Sequence, residues 1–474
     1  MGPQSLSRLN KKLMFKKLIL AGLFCFILIP DFAQKTQTKK TYTPHKQTSK
    51  TSASTGISDE ELLDIVEKQT FQYFWKGAEP VSGMARERLH TDGNYPQNDA
   101  NVVTVGGGGF GVMAIIAGIH RGYITRQEGV KGLTKIVGFL EKADRFHGAW
   151  PHWLYGETGK VKPFGTKDNG GDLVESSFMI QGLLCVREYF KDGSAEEKAL
   201  AGRVDKLWKE VEFSWYRNGT NSLYWHWSPE YAWQMNFPVH GYNECLIMYV
   251  LAASSPTYGI PAEVYEEGWN ENGKIKAPHK VSGIELQASH QGNAFNGGPL
   301  FWAHYSYLGL DPRGLKDKYI DYWKENVNQS RINYNWCVQN PLKYKGYGPN
   351  SWGLTSSYSV AGYAGHAPDL RNDLGVISPT AAISSLPYTP RESLAAMRYW
   401  YTQKKDKLWG EYGFYDAFSE SANWYPPHYL AIDQGPAAVM IENYRSGLFW
   451  KLFMGCPEIK DGLKKLGFQS PSTN

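Results

Sequence analysis

Phe110-Gly111-Val112-Met113-Ala114-Ile115-Ile116-Ala117-Gly118-Ile119 offers no polar face, and neither does Leu246-Ile247-Met248-Tyr249-Val250-Leu251-Ala252-Ala253. A helix that is apolar all round is a buried helix. Around these two lie segments with helical spacing and one charged face, among them residues 127–146 and 195–215. Ser58-Asp59-Glu60-Glu61 opens the first such segment as a capping box, and Thr389-Pro390-Arg391-Glu392 reads as another. Further helices are predicted over 109–120, 172–189, 242–253, 294–308, 315–327, 378–386, 389–402 and 433–453. Alternating buried and half-buried helices predict two concentric rings, an all-α (α/α)6 barrel in a single domain. A HEAT- or TPR-type solenoid is the competitor, but no residue pattern recurs at a fixed period.

Composition excludes several classes. With 42% hydrophobic and 20% charged residues in 474, the chain is not disordered, collagen-like or a polytopic membrane protein. Residues 1–57 hold ten Lys/Arg and one acid, whereas the remainder holds 41 bases and 45 acids. A mildly acidic body argues against nucleic acid, because phosphate binding needs clustered cations. Lys16 and Lys17 precede the short apolar run 18–29, which Pro30 ends. That is the pattern of a secretory signal, too short for a comfortable membrane span. The expected product is exported, periplasmic or secreted, with no stable membrane insertion after cleavage near residue 33 or 34. Residues 1–34 are therefore assigned to the signal region, 35–57 to a flexible Lys/Thr/Ser-rich linker and 58–474 to the folded domain. Cys185, Cys245, Cys337 and Cys456 form no C-x-x-C pair, so zinc is not expected. Cys185 and Cys245 read as buried thiols.

Three turns carry candidate chemistry. In Asp168-Asn169-Gly170-Gly171-Asp172-Leu173-Val174-Glu175, three carboxylates fall within eight residues at a helix start. Capping accounts for Asp172 and Glu175 but leaves Asp168 unexplained. Val239-His240-Gly241-Tyr242-Asn243-Glu244-Cys245 sets Glu244 against an apolar run, where desolvation raises a carboxyl pKa as a general acid requires. Serving the helix dipole is the structural alternative. Asp433-Gln434-Gly435-Pro436 opens the last long helix, with Asp433 read as an N-cap and, secondarily, a sugar ligand. The aromatic strip Tyr224-Trp225-His226-Trp227 with Trp233 is either a stacking platform or core, and the runs holding Trp302 and Trp352 are read as aromatic, glycine-rich walls that bind substrate. Arg86 and His90 are candidates for a substrate hydroxyl. No P-loop, H-E-x-x-H, dinucleotide fingerprint or G-x-S-x-G elbow is present. Acids among Trp and Tyr suit glycoside hydrolysis, which needs one carboxyl to protonate the leaving oxygen and a second carboxylate.

These motifs, with Phe71-Gln72-Tyr73-Phe74-Trp75, Asn296–Trp302 and Ser351-Trp352-Gly353-Leu354, resemble the bacterial glucoamylase-like group and, within it, glycoside hydrolase family 144. The resemblance spans nearly all of residues 58–474. It implies an (α/α)6 barrel acting on β-1,2-glucan by an anomer-inverting mechanism without a metal or cofactor. Endo-cleavage to sophoro-oligosaccharides and exo-release of sophorose both remain open. The family's acids match Asp168, Asp172, Glu175 and Glu244. Glu244 is assigned as general acid and Asp168 or Asp172 as base, with Glu175 as an alternative hydroxyl ligand. The expected partner is β-1,2-glucan or a sophoro-oligosaccharide, and the expected state a monomer. A non-catalytic glycan-binding protein and a polysaccharide lyase are the rivals. The first conflicts with the four acids present, the second with an acidic body.

Overall fold

Ser58 caps the first helix as its sequence predicts: the Glu61 amide bonds its hydroxyl, and the Glu61 carboxylate accepts the Ser58 amide at 2.8 Å. The structure, a computed structural model, describes residues 56–95 and 97–471. The signal assignment and the linker apart from residues 56 and 57 lie outside the described residues. The main helices are α1 Asp59–Trp75, α2 Val105–His120, α3 Arg126–Leu140, α4 Leu173–Phe190, α5 Ala195–Lys209 and α6 Leu246–Ser254. They continue with α7 Tyr322–Gln339, α8 Pro379–Ser384, α9 Pro390–Gln403, α10 Ala431–Ser446, α11 Leu448–Gly455 and α12 Pro457–Lys465. Strands are short and pair only in sheets of two or three, so the fold is mostly helical. Among the described residues no helix is long and apolar enough to cross a membrane.

The apolar runs are buried as their composition demands. Nearly every residue of α2, α4 and α6 is hidden from solvent, and α8 and α10 follow suit. α2 packs on α4 and α10, α4 on α6, and α8 on α10. The amphipathic α1, α3, α5 and α9 lie against these and keep a charged face outward. Glycine sets the α2–α4 distance. A Cβ on Gly182 would lie 2.0 Å from the Gly109 carbonyl, and one on Gly109 2.3 Å from that of Phe178. Much of the aromatic content is core: Trp150, Trp208, Trp269, Trp352 and Trp400 are fully buried. All four described cysteines are buried and free.

Several predicted elements are redrawn. Residues 294–308 form two 3₁₀ turns, Leu300–Ala303 and Tyr305–Leu308, after consecutive positive-φ glycines at 297 and 298. The helix expected over 315–327 starts later, because Asp321 caps it by accepting the Lys324 amide. The long helix expected from 433 to 453 is two, divided at Gly447 with φ +67°. Thr389 makes no capping box; its hydroxyl turns back to the Ser385 carbonyl.

Candidate active site

The turn 168–175 is built by close backbone contact. Gly171-Asp172 pairs antiparallel with His226-Trp227, and a Cβ on Gly170 would come 2.2 Å from the Trp227 carbonyl. Only glycine fits there. Asp172 is then fully occupied. One oxygen caps α4 by accepting the Glu175 amide at 2.9 Å. The other meets His152 Nδ1 and the Trp225 indole N–H, both at 3.0 Å. Burial opposes a charge on His152, but Glu175, Asp172 and Asp168 outweigh it and lift its pKa to about 10. Asp172 thus holds an imidazolium and a helix start and has no oxygen left for water. Asp168 is different. Its Oδ1 lies 3.2 Å from His226 Nε2, the nitrogen that accepts the Gly170 amide. Burial keeps that histidine neutral, with its pKa down at about 4, and lifts Asp168 to about 7.

Glu175 and Glu244 come together from separate turns. Glu175 Oε2 accepts the Gly106 amide at 2.9 Å from the first turn of α2. Burial pushes Glu175 up to about 7. Glu244, two residues before α6, is 8% exposed. Burial raises its pKa to about 7, against donation from its own amide and the Cys245 thiol, and the nearby Glu175 raises it further. Ser306 fixes the turn by donating to the Glu244 carbonyl. Tyr305, the first residue of the second 3₁₀ turn, is buried, and Asp433, Glu244 and Glu175 all oppose its ionisation. One site therefore joins the starts of α2, α4, α6 and α10.

The secondary candidates divide. Asp433 reaches the site, but not as a cap: Leu430 is the N-cap of α10 and Asp433 lies within its first turn, close to Asp416 and Tyr305. Trp227 and Trp233 are half-buried and border the exposed Trp215. Trp302 is buried and stacked on His290 at 4.4 Å. Trp352 is corrected to core: it is fully buried, its indole N–H donates to the Glu392 carbonyl, and no face remains for a sugar. Arg86 is likewise spent on structure, donating to the carbonyls of Gly77 and Ala100 and to the Asn101 side chain. His90 is buried between Tyr95 and His428, with its ring nitrogens on the Asn94 carbonyl and the Tyr358 hydroxyl. The sequence reading missed His152, Tyr305 and Asp416. His152 and Asp416 are single polar residues in aromatic runs and Tyr305 is one tyrosine among several aromatics, so only packing reveals their partners. Two His/Asp groups, His152–Asp168–Asp172 and His90–Asp92–His428, have ligand-bearing atoms near one another. His152 pairs with Asp172 and His428 with Asp92 at 3.1 Å, His90 has both ring nitrogens on the Asn94 carbonyl and the Tyr358 hydroxyl, and we assign a metal to neither group. Two open surface hollows lie elsewhere, one beside Arg145 and Glu210, the other beside Ile57 and Arg445.

Residues 236–457 match the "Glycoamylase" family model, described as "Putative glucoamylase". An endo-β-1,2-glucanase from Chitinophaga pinensis, solved with sophorotriose and glucose, is 71% identical. It superposes with a TM-score of 0.87 over 88% of this chain and 100% of that one. A structure from Bacteroides caccae is 63% identical, with a TM-score of 0.86 over 87% of this chain and 100% of that one. The exo-β-1,2-glucooligosaccharide sophorohydrolase of Parabacteroides distasonis is 46% identical over 427 residues, 86% of this chain. The chain spans 58% of the length of that curated relative. An endo-β-1,2-glucanase from Talaromyces funiculosus shares the fold at 10% identity, with a TM-score of 0.61 over 86% of this chain and 88% of that one.

Proposed function

The chain belongs to glycoside hydrolase family 144, and from that premise we propose that it cleaves β-1,2-glucan internally, releasing sophoro-oligosaccharides. The observation that carries this reading is the convergence of Glu175 and Glu244, from distant turns, beside the Asp168–Asp172 turn. A glycosidase needs a carboxyl that is protonated near neutrality and a carboxylate beside it. Glu244, lifted to about 7 in an apolar pocket, is the general acid that protonates the glycosidic oxygen. Asp168 is the general base, because the oxygens of Asp172 are committed to the helix cap, His152 and Trp225. Asp168 takes a proton from water as water attacks the anomeric carbon. The C–O bond to the leaving sugar breaks, and that oxygen takes the Glu244 proton. Inversion of the anomeric centre follows. Glu175, fastened to the Gly106 amide, lies beside both and binds a glucosyl hydroxyl.

The surrounding architecture is read the same way. The buried α2, α4, α6, the 3₁₀ pair, α8 and α10 form an inner ring, and the amphipathic helices an outer one, closing as an (α/α)6 barrel. Packing of α2 on α4, α4 on α6, and α10 on α2, α8 and the second 3₁₀ turn supports closure. The basic start and short apolar run at residues 16–29 support action outside the cytoplasm, in the periplasm or medium.

Time-resolved product analysis on linear β-1,2-glucan tests the function. Early mixed sophoro-oligosaccharides are expected. Sophorose alone from the start means exo action, the second reading, which the 46% relative's activity favours. No products at all would refute both.

A further inference from the structure

Asp416 and Asp433 form a buried carboxyl pair that the roles above do not use. Asp416 is fully buried on the segment after Gly413–Phe414, and Asp433, in the first turn of α10, is 4% exposed. Their side chains lie close enough for each to govern the other's ionisation. Asp416 Oδ2 accepts the Tyr358 amide at 3.0 Å. Asp416 Oδ1 and Asp433 Oδ2 receive no donor from any described protein group. Nor does any Lys, Arg or His among the described residues form an ion pair with either acid. Arg88, beside Glu87 in the chain, pairs with Glu87 and Asp99 instead. Two ionised carboxylates in contact, buried and without a counter-ion, repel strongly. One proton converts the contact into a donor–acceptor bond.

We propose that Asp416 is a positioning residue that holds one proton jointly with Asp433, so that Asp433 offers a sugar hydroxyl both a donor and an acceptor. The identity of the ligand rests on the glucanase reading; the shared proton does not. The groups facing the pair are Glu87 from the segment after α1, Tyr305 from the 3₁₀ turn, and Tyr358 and Tyr363 from the hairpin Ser356–Gly365. Glu87 disfavours a second negative charge, whereas the nearby Tyr305 hydroxyl eases the charge on Asp433. Tyr363 lies on the same hairpin with its side chain half exposed. Burial and the neighbouring Asp416 push Asp433 well above the carboxylate range, with Asp416 at about 6. Loss of the proton at alkaline pH leaves an acceptor-only, doubly charged wall that binds a neutral sugar poorly.

Calorimetric binding of sophorotriose to Glu244→Gln protein, which cannot turn over, isolates this step. Affinity is expected to fall about tenfold or more from about pH 5 to about pH 9. Adding Asp416→Asn supplies a fixed amide donor to Asp433, lets it ionise at ordinary pH, and reduces that fall to about threefold or less. Infrared spectra near neutral pH, taken on otherwise native protein, are expected to lose a protonated-carboxyl band in both Asp416→Asn and Asp433→Asn. An unchanged pH dependence in Asp416→Asn, or an unchanged band in both single variants, overturns the proposal. Absence of sophorotriose binding at every pH would refute the glucan reading, while the infrared band would still decide the shared proton.

Discussion

The Gly106 amide donates to Glu175 Oε2 at 2.9 Å, tying the first turn of α2 to the first turn of α4 across 69 positions of chain. A glycine stands there because a Cβ would lie 2.3 Å from the same oxygen. The contact fixes one acid of the site by backbone rather than by a second side chain. Gly106→Ala is therefore expected to displace the Glu175 carboxylate and lower kcat/KM at least about tenfold with a smaller loss of stability. Steady-state kinetics alongside thermal unfolding separates the two effects.

Glu244→Gln keeps the shape of the side chain and removes its proton. The turnover of β-1,2-glucan should drop by about 10²–10⁴ while Tm is unchanged or higher, since a buried acid becomes a neutral amide. Reducing-end assay of the purified variant checks it, and near-normal turnover would exclude Glu244 as the acid.

The pH–rate profile should be a narrow bell centred near neutrality. Activity falls at higher pH as Glu244, with a pKa of about 7, loses its proton. It falls at lower pH as Asp168, also about 7, gains one. The two limbs are apparent constants of a coupled site. A rate flat from about pH 5 to about pH 9 contradicts both assignments.

Asp172→Asn preserves an acceptor for the Glu175 amide but removes the charge that His152 answers. The His152 pKa should drop clearly below about 10 while the fold persists, as titration of its imidazole by NMR would report. Asp172→Ala also loses the cap and the Trp225 bond, and should destabilise by about 3–5 kcal/mol.

Stability should decline as pH rises from weakly acidic to weakly alkaline. Glu244, Glu175 and Glu325 lie at about 7 and Glu67 at about 8, all above the unfolded value of 4.5. A group with a raised folded pKa holds its proton more tightly when folded. Its contribution is complete below the unfolded pKa and is lost as pH rises through the folded one. Differential scanning calorimetry should place Tm higher near pH 5 than near pH 8, and the opposite order would contradict these shifts.

Features decided by the chemistry of a single segment are legible in the amino-acid sequence itself. All-apolar runs mark α2 and α6, and the Ser58 box marks the start of α1. The turn that holds Asp168, Asp172 and Glu175 is visible in its own spacing, and Glu175 bears on the ionisation of Glu244 from a separate turn. What escapes depends on partners distant in chain. Trp352 and Trp302 look alike in sequence, yet one is fully walled in by core and the other faces His290. Asp433 reads as a cap from its position beside an apolar helix, whereas the N-cap lies three residues earlier, at Leu430. His152 carries no motif, because its charge is conferred by carboxylates from another turn. The 3₁₀ turns at 300–308 carry helix-like spacing that paired glycines prevent from becoming α.

Raised carboxyl pKa values have a further effect on traffic into the cleft. Burial favours the neutral forms of Glu244, Glu175 and Asp168, and the His152 cation faces Asp172. A crowded ring of acids thus carries far less field than its residue count implies. An uncharged polysaccharide meets little electrostatic barrier on entry, and its affinity should hardly respond to ionic strength, in contrast to the salt-sensitive capture of a charged polymer.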